Sequence, residues 1–249
     1  MSVESIPSLS EKLIQAGIQG ALVDLDDTIV NTSALFTAKI EQFAAFAIPH
    51  TGHPSPELFA ENTFRPLSAD VFRTHFVRPD RWDPVFDMLR KKYPNVPEEI
   101  MRYGRQLLAE VYQTAPSIKA GAMEMLAAFR AANLSITIVT HANEAWTHLK
   151  LRETGLDNWC DHLVIADENR HKSQTDWEAA LSLAGLEGKN AVVIGDNLNG
   201  DINAAYAAGV RHGVYIEAGW KFYSMGELPS GVFVANDTVN VLDALYEGL

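Results

Sequence analysis

Cysteine is nearly absent from this 249-residue chain, which contains only Cys160. One thiol cannot form a disulfide within the chain, so a small secreted fold held together by disulfides is excluded. No hydrophobic run approaches the roughly 18 residues that a membrane-spanning helix needs. The opening stretch, MSVESIPSLSEKL, carries an early glutamate and lacks the basic segment and apolar core of a signal peptide. We therefore expect a cytoplasmic protein without a membrane partner.

Positive charge is also scarce. The chain has 20 Lys and Arg residues against 32 Asp and Glu residues, a formal net charge of −12. Such a surface repels phosphate backbones, so we expect no nucleic-acid partner, although a local basic pocket for a small anion is allowed. Hydrophobic residues make up 47% of the chain and charged residues 21%, which is typical of a globular protein and excludes disorder and coiled coil.

Strand patterns are missing between residues 32 and 118. Apolar residues recur at helical spacing from Phe36 to Ala47 and from Ile100 to Val111, and the segment 82–93 also has a helical pattern. Loops rich in Pro and His are expected between these helices. The sequence therefore predicts an all-helical inserted domain over 32–118, with residues 1–31 and 119–249 forming the other domain.

Outside the insertion, strand and helix patterns alternate. A capping box, Ser8 with Glu11, predicts a short helix that ends near Gly17. Short apolar runs predict strands at 21–25, 135–139, 163–165, 191–194, 214–216 and 232–234. Helical patterns lie at 123–129, 144–153, 177–184, 201–208 and 239–246. This alternation predicts a three-layer α/β fold, with a Rossmann-like parallel sheet covered by helices on both faces.

Polar side chains follow four of the predicted strands. The groups in question, in chain order, are Asp24, Asp26, Asp27, Thr28, Thr140, His141, Lys172, Asp196 and Asp201. Ligands of open parallel sheets bind beyond the carboxyl ends of the strands, so we expect these groups to share one edge.

Clustered carboxylates repel one another unless a cation lies between them. Oxygen ligands around an open site suit Mg²⁺, which often bridges to a phosphate. Lys172 would add positive charge and Thr140 a hydroxyl donor, which together favour binding of a phosphoryl group. One carboxylate could then act as a covalent nucleophile.

These segments resemble the haloacid-dehalogenase-like (HAD) hydrolase superfamily over nearly the whole chain. Asp24 to Ile29 is similar to its first motif, Ile136 to Thr140 to its second, Lys172 to its third, and Gly195 to Asp201 to its fourth. The insertion after the first motif resembles the helical cap domain of the C1 group. Two segments depart from the usual pattern: His141 follows Thr140, and Ser173 and Thr175 follow Lys172 where relatives often have prolines.

The resemblance implies a Mg²⁺-dependent phosphatase that acts on a small phosphorylated metabolite through a phospho-aspartate. Asp24 would be the nucleophile, Asp26 the general acid and base, and Lys172 the charge that orients Asp24. The metal ligands would be Asp24, Asp196, Asp201 and the backbone carbonyl of Asp26. Phosphate and substrate contacts would come from Asp27, Thr28, Thr140 and His141.

Several alternatives stay open at this point. A phosphomutase of the same fold would pass the phosphoryl group to another hydroxyl, and a non-catalytic relative would bind metal or phosphate without turnover. A haloacid dehalogenase would need neither the metal nor Asp26. Asp201 would equally suit the start of a helix, and His141 would equally suit a packing role.

Four arginines of the insertion cluster with His75: Arg65, Arg73, Arg78 and Arg81. They form either a solvated face or a group in which one arginine reaches a second anionic group of the substrate. The substrate itself is not determined by the sequence, and we expect a monomer or weak homodimer.

Overall fold

The computed structural model describes residues 7–217 and 226–249. Its centre is a six-stranded parallel sheet with the strand order β3-β2-β1-β4-β5-β6. The strands are β1 (Gly20–Val23), β2 (Ser135–Thr140), β3 (His162–Ile165), β4 (Ala191–Gly195), β5 (His212–Ile216) and β6 (Val232–Ala235). The predicted α/β class and parallel sheet are confirmed.

The apolar runs form strands because both faces of the sheet are covered. Successive side chains of a strand point to opposite faces, and β1 shows this clearly. Ala21 and Val23 belong to one hydrophobic core, whereas Leu22 belongs to the core on the other face. All four residues of β1 are buried.

Helices cover both faces of this sheet. They are α1 (Leu9–Gln15), α7 (Ala122–Ala131), α8 (Glu144–Thr154), α9 (Gln174–Ala184), α10 (Ala204–Ala207) and α11 (Val241–Gly248). The predicted capping box of α1 is confirmed, since the Ser8 hydroxyl and the Glu11 carboxylate each accept a backbone N–H of the other residue. The first six residues of the opening stretch lie outside the described residues.

The chain between β1 and β2 is helical. It contains α2 (Thr32–Ala47), α3 (Pro56–Phe59), α4 (Arg65–His75), α5 (Trp82–Lys92) and α6 (Glu98–Val111), with a π-helical turn from Ala60 to Phe64 joining α3 to α4. These helices surround a hydrophobic core of their own, which is rich in phenylalanine. A close approach at Gly104 locks α6 against two rings of this core, because a Cβ there would lie 2.5 Å from Phe43 and 2.6 Å from Phe86.

The expectation of loops between Ala47 and Trp82 is wrong for most of that span. Ser55 accepts the N–H of Leu58 and Pro56 takes the first helical position, so a helix begins there. Helical structure then continues to His75, because Phe59 and Phe64 are drawn into the helical core. Burial against other helices outweighs the weak local propensity of this polar segment.

The strand order brings the ends of β1 and β4 together. Val23 lies beside Ile194 of β4 and Ile138 of β2. The connections reverse direction at β1, and a crevice for ligands opens at such a point in doubly wound sheets. Within the part of the chain that the structure describes, no helix has the length and apolarity to cross a bilayer.

Candidate active site

Three carboxylates meet at the carboxyl ends of β1 and β4. Asp24 follows β1, Asp196 follows β4, and Asp201 lies in the π-helical turn Leu198–Asn203 that precedes α10. All three are buried, and one oxygen of each lies within 4.8 Å of the others. The arrangement could hold a metal ion, since it offers three hard oxygen donors on one side of a cavity.

Asp201 is fixed by the tight turn after β4. The backbone N–H of Asn197 donates to Asp201 Oδ2 at 3.0 Å, and the Asn197 side chain accepts the N–H of Gly200 at 2.9 Å. Gly195 leaves room for this carboxylate, because a Cβ there would lie 2.4 Å from Asp201 Oδ2. The helical turn therefore begins at Leu198, three residues before the position that the sequence predicts.

Lys172 provides the positive charge of the cluster. Its Nζ lies 2.5 Å from Asp24 Oδ1 and 2.6 Å from Asp201 Oδ1, and it also donates to the Val139 carbonyl at 3.0 Å. The next residue, Ser173, caps α9 in a box with Asp176. The start of α9 thus fixes the backbone that carries Lys172 into the site.

One lysine does not neutralise three buried carboxylates. Burial, with Asp201 and Asp26 nearby, raises the pKa of Asp24 to about 7 despite Lys172. Burial and the neighbouring carboxylates also raise the pKa of Asp196 well above its usual value. Burial opposes the charge on Lys172, but Asp201 and Asp24 overcome it and raise the pKa of Lys172. The surplus of negative charge fits a divalent cation.

Asp26 faces a different set of partners. Its Oδ1 accepts from Lys150 Nζ at 2.5 Å and from the Thr32 hydroxyl, and its Oδ2 accepts from the Thr140 hydroxyl at 3.1 Å. Burial acts against the charge of Asp26, yet Lys150 and these hydroxyl donors lower its pKa below the usual value. This geometry favours the ionised form of Asp26.

Lys150 is the main residue that the sequence analysis missed. It lies on α8, its side chain is fully buried, and its Nζ lies 4.1 Å from the ring centroid of Trp146. Trp146, Thr147 and Leu151 are also buried on this helix. A lysine four residues after a buried tryptophan, on the apolar face of a helix, is the sequence feature that could have revealed it.

The remaining predicted contacts divide into two groups. Asp27 and His141 line the cavities of the site; burial raises the pKa of Asp27, and burial together with Lys172 lowers the pKa of His141 to about 4. Thr140 and Thr28 are fully buried and line neither cavity. Thr140 contacts Asp26, and the Thr28 carbonyl accepts the Thr238 hydroxyl at 2.8 Å.

Two cavities open at this edge of the sheet. One, of about 460 Å³, lies over Asp24, Lys172, Asp196 and Asp201. The other, of about 160 Å³, lies between the helical segment and the sheet. They are continuous, because Asp26, Asp27, Phe72, Val77 and His141 line both. The site therefore has a charged compartment and a smaller side compartment.

Comparison with known proteins agrees with this architecture. The model of the haloacid dehalogenase-like hydrolases matches residues 18–209, so the chain belongs to this family of hydrolases. Pyrophosphatase PpaX of Bacillus pumilus is 24% identical over 200 residues, which are 79% of this chain and 82% of that protein.

Solved structures show the same fold. A haloacid dehalogenase-like hydrolase from Xanthomonas campestris is 16% identical, with a TM-score of 0.71, over 93% of this chain and 92% of its own. The putative HAD hydrolase YfnB of Bacillus subtilis, solved with magnesium bound, is 17% identical with a TM-score of 0.66, over 92% of this chain and 97% of its own.

Proposed function

We propose that this hydrolase is a Mg²⁺-dependent phosphatase that cleaves a small phosphorylated metabolite through a phospho-aspartate on Asp24. The observation that carries the proposal is that two carboxylates, Asp24 and Asp26, lie at one cavity in different environments. Asp24 lies among metal-ligand oxygens and Lys172, while Asp26 lies at the junction of both compartments with its own hydroxyl and ammonium partners.

The residues present fit a divalent ion. Asp24, Asp196 and Asp201 would hold it, and the raised pKa values of Asp24 and Asp196 mark the missing positive charge. Bound there, Mg²⁺ would neutralise phosphate oxygens and keep Asp24 ionised at neutral pH. Magnesium in the B. subtilis YfnB structure supports this choice of metal.

In the first half of the reaction, one Asp24 oxygen attacks phosphorus. An Asp24 O–P bond forms, the ester P–O bond breaks, and Lys172 stabilises the charge on the transferred group. Asp26 gives its proton to the leaving oxygen. The incoming phosphate dianion favours that protonated form, since negative charge nearby raises the pKa of a carboxyl group.

In the second half, Asp26 takes a proton from water. That water attacks phosphorus, the Asp24 O–P bond breaks, and inorganic phosphate leaves with Asp24 restored. Asp26 is ionised once it has given its proton to the leaving oxygen, and the ionised carboxylate is the form that accepts a proton from water. The partners Lys150, Thr32 and Thr140 hold its two oxygens in fixed directions.

The position of Asp26 favours phosphoryl transfer over dehalogenation. Displacement of a halide by Asp24 would not require an acid or base that lines both compartments, nor three carboxylates around a cation position. A mutase would retain the phosphoryl group and deliver it to a second hydroxyl, so slow net hydrolysis and activation by a bisphosphate would distinguish it.

The test is phosphate release from a panel of phosphorylated metabolites, pyrophosphate and phenyl phosphate. Pyrophosphate belongs in the panel because a relative is named as a pyrophosphatase. Each compound is assayed with Mg²⁺, with a chelator, and with the Asp24→Asn variant. Lys189→Met serves as the matched control, because Lys189 is exposed and pairs with Glu187 on the surface.

Chelator-sensitive release that is lost in Asp24→Asn and kept in Lys189→Met supports the proposal. Folded protein that binds Mg²⁺ yet releases phosphate from no compound contradicts it. Transfer of ³²P to a second hydroxyl without net hydrolysis would establish the mutase instead.

A further inference from the structure

The smaller compartment has walls unlike those of the charged one. Five aromatic side chains line it: Phe36, Phe72, Trp82, Tyr112 and Trp146. Asp26 and Asp27 form the end that joins the charged compartment, and Arg65 and Arg81 come from the helical segment. A group that enters from the phosphate position therefore meets aromatic walls and two arginines.

The volume sets the size of that group. The compartment measures about 160 Å³, and an apolar cavity of about 150 Å³ holds one benzene molecule. It therefore accommodates a single ring or a branched chain of similar bulk.

Arg81 is the arginine of this compartment that has no carboxylate partner among the described residues. Its guanidinium lies 4.4 Å from the Trp82 ring centroid, 5.3 Å from that of Phe36 and 5.4 Å from that of Phe72. It donates to the Phe76 carbonyl at 3.1 Å. Across residues 7–217 and 226–249, no carboxylate oxygen lies within 4.0 Å of it, and its buried Nε has no hydrogen-bond partner.

The other arginines of the cluster are engaged differently. Arg65 is paired with Glu61 at 2.6 Å and donates to the Thr37 hydroxyl. Arg78 is paired with Asp80, and the largely exposed Arg73 lies 3.4 Å from Asp70. Three aromatic rings within 5.4 Å hold the planar guanidinium of Arg81 in place, which prepares it to bind a planar anion through two hydrogen bonds.

We propose that the smaller compartment selects phosphate monoesters whose leaving group is about the size of one ring and carries a carboxylate or similar anion that pairs with Arg81. This inference rests on the proposed phosphatase function and adds the substrate class. Asp26 and Arg81 carry opposite charges and would therefore orient the substrate, with its reacting oxygen near Asp26 and its second anionic group near Arg81.

The experiment compares esters that differ only in the charge of that second group. Phenyl phosphate and the three positional isomers of carboxyphenyl phosphate are assayed beside their uncharged carbamoyl counterparts. The readout is the ratio of kcat/KM between each carboxylate and its carbamoyl partner, in which any general loss of activity cancels. Loss of a hydrogen-bonded charge changes affinity by about tenfold or more.

Three variants accompany the wild type: Arg81→Gln, Arg81→Lys and, as control, Arg73→Gln. We expect at least one isomer to be preferred over its carbamoyl partner by about tenfold or more in the wild type. Arg81→Gln should bring this ratio near unity, Arg81→Lys should keep part of it, and Arg73→Gln should keep all of it. If the glutamine variant does not fold, the lysine variant decides the question: a ratio below that of the wild type supports the role of Arg81, and an unchanged ratio overturns it.

The outcomes separate the two proposals. Hydrolysis of phenyl phosphate without preference for any carboxylate isomer overturns the inference and leaves the phosphatase function standing. A preference that persists in Arg81→Gln overturns the role of Arg81. Failure to hydrolyse any of these aryl esters overturns the inference alone, because release of phosphate from the metabolite panel decides the phosphatase function separately.

Discussion

Replacement of Lys150 by methionine tests how much the stability of the protein depends on the buried ion pair between Lys150 and Asp26. The side chain of Lys150 is 0% exposed, and its Nζ lies 2.5 Å from Asp26 Oδ1. Methionine keeps most of the apolar stem that packs against Trp146 and removes the ammonium group. The variant therefore leaves Asp26 as a largely buried carboxylate without its cation.

The expected cost follows from this burial. Removing one partner of a buried ion pair costs about 3–5 kcal/mol, because the remaining charge is uncompensated. For a chain of this length, 1 kcal/mol corresponds to about 2–4 °C in Tm. We therefore expect Lys150→Met to lower Tm by roughly 6–20 °C at about pH 8, where Asp26 is ionised.

The pKa of Asp26 predicts how the effect of Lys150→Met on Tm changes with pH. In the wild type Lys150 lowers the pKa of Asp26, so this carboxylate stabilises the native state above its unfolded pKa and loses that contribution in acid. In the variant, burial without the ammonium raises the pKa of Asp26, and a proton can neutralise it. The difference in Tm between the two proteins should therefore shrink as the pH falls from about 8 to about 5.

Thermal unfolding of metal-free protein, followed by circular dichroism, makes the measurement. Lys189→Met is the matched control, since Lys189 and Glu187 form an exposed pair of similar length, 2.7 Å, and Tm should change by at most about 4 °C. The double variant Lys150→Met with Asp26→Leu should regain much of the loss, because the unpaired charge is gone. A single variant as stable as the control, or a double variant no more stable than the single, would refute the reasoning.

Four further predictions concern the carboxylate cluster and two glycines. Metal-free protein should lose stability as the pH rises from about 5 to 8. Because the pKa of Asp24 is raised in the native state, native Asp24 loses its proton in this range, whereas Asp24 of the unfolded chain is already ionised. The expected loss in the free energy of unfolding is roughly 2–3 kcal/mol. Mg²⁺ should raise Tm more at about pH 8 than at about pH 5, since protons compete for Asp24 and Asp196. Gly195→Ala should reduce phosphate release by about tenfold or more while the chain stays folded, because its Cβ would displace the Asp201 carboxylate. Gly104→Ala should lower stability by about 1–2 kcal/mol, because its Cβ would overlap two phenylalanine rings despite the better helix propensity of alanine.

The controls for these predictions use the same elements. Asp24→Asn should remove most of the pH slope attributed to Asp24, and an unchanged slope would assign it to other groups. Full activity in Gly195→Ala would contradict the steric account of the turn. For Gly104→Ala, thermal unfolding is compared with Gln106→Ala, an exposed position on α6; equal Tm values would contradict the tight packing.

Local patterns were sufficient to predict the sheet and most helices. Continuous apolar runs identify strands that are buried on both faces, as in β1 and β4, where every residue is buried. The span from Pro56 to His75 shows where this approach fails. Its helices depend on phenylalanines that are buried by helices distant in sequence, and a local pattern carries no record of those partners.

The sequence by itself determined the residue types at the strand ends, and with them the acidic and cationic groups of the candidate site. Tertiary structure alone decided which of these groups meet. The neighbouring positions of β1 and β4 bring Asp24 to Asp196, α8 carries Lys150 to Asp26 across 124 residues, and the helical segment delivers Arg81 to the side compartment. Such pairings depend on strand order and helix packing, which long-range burial selects and which no local spacing encodes.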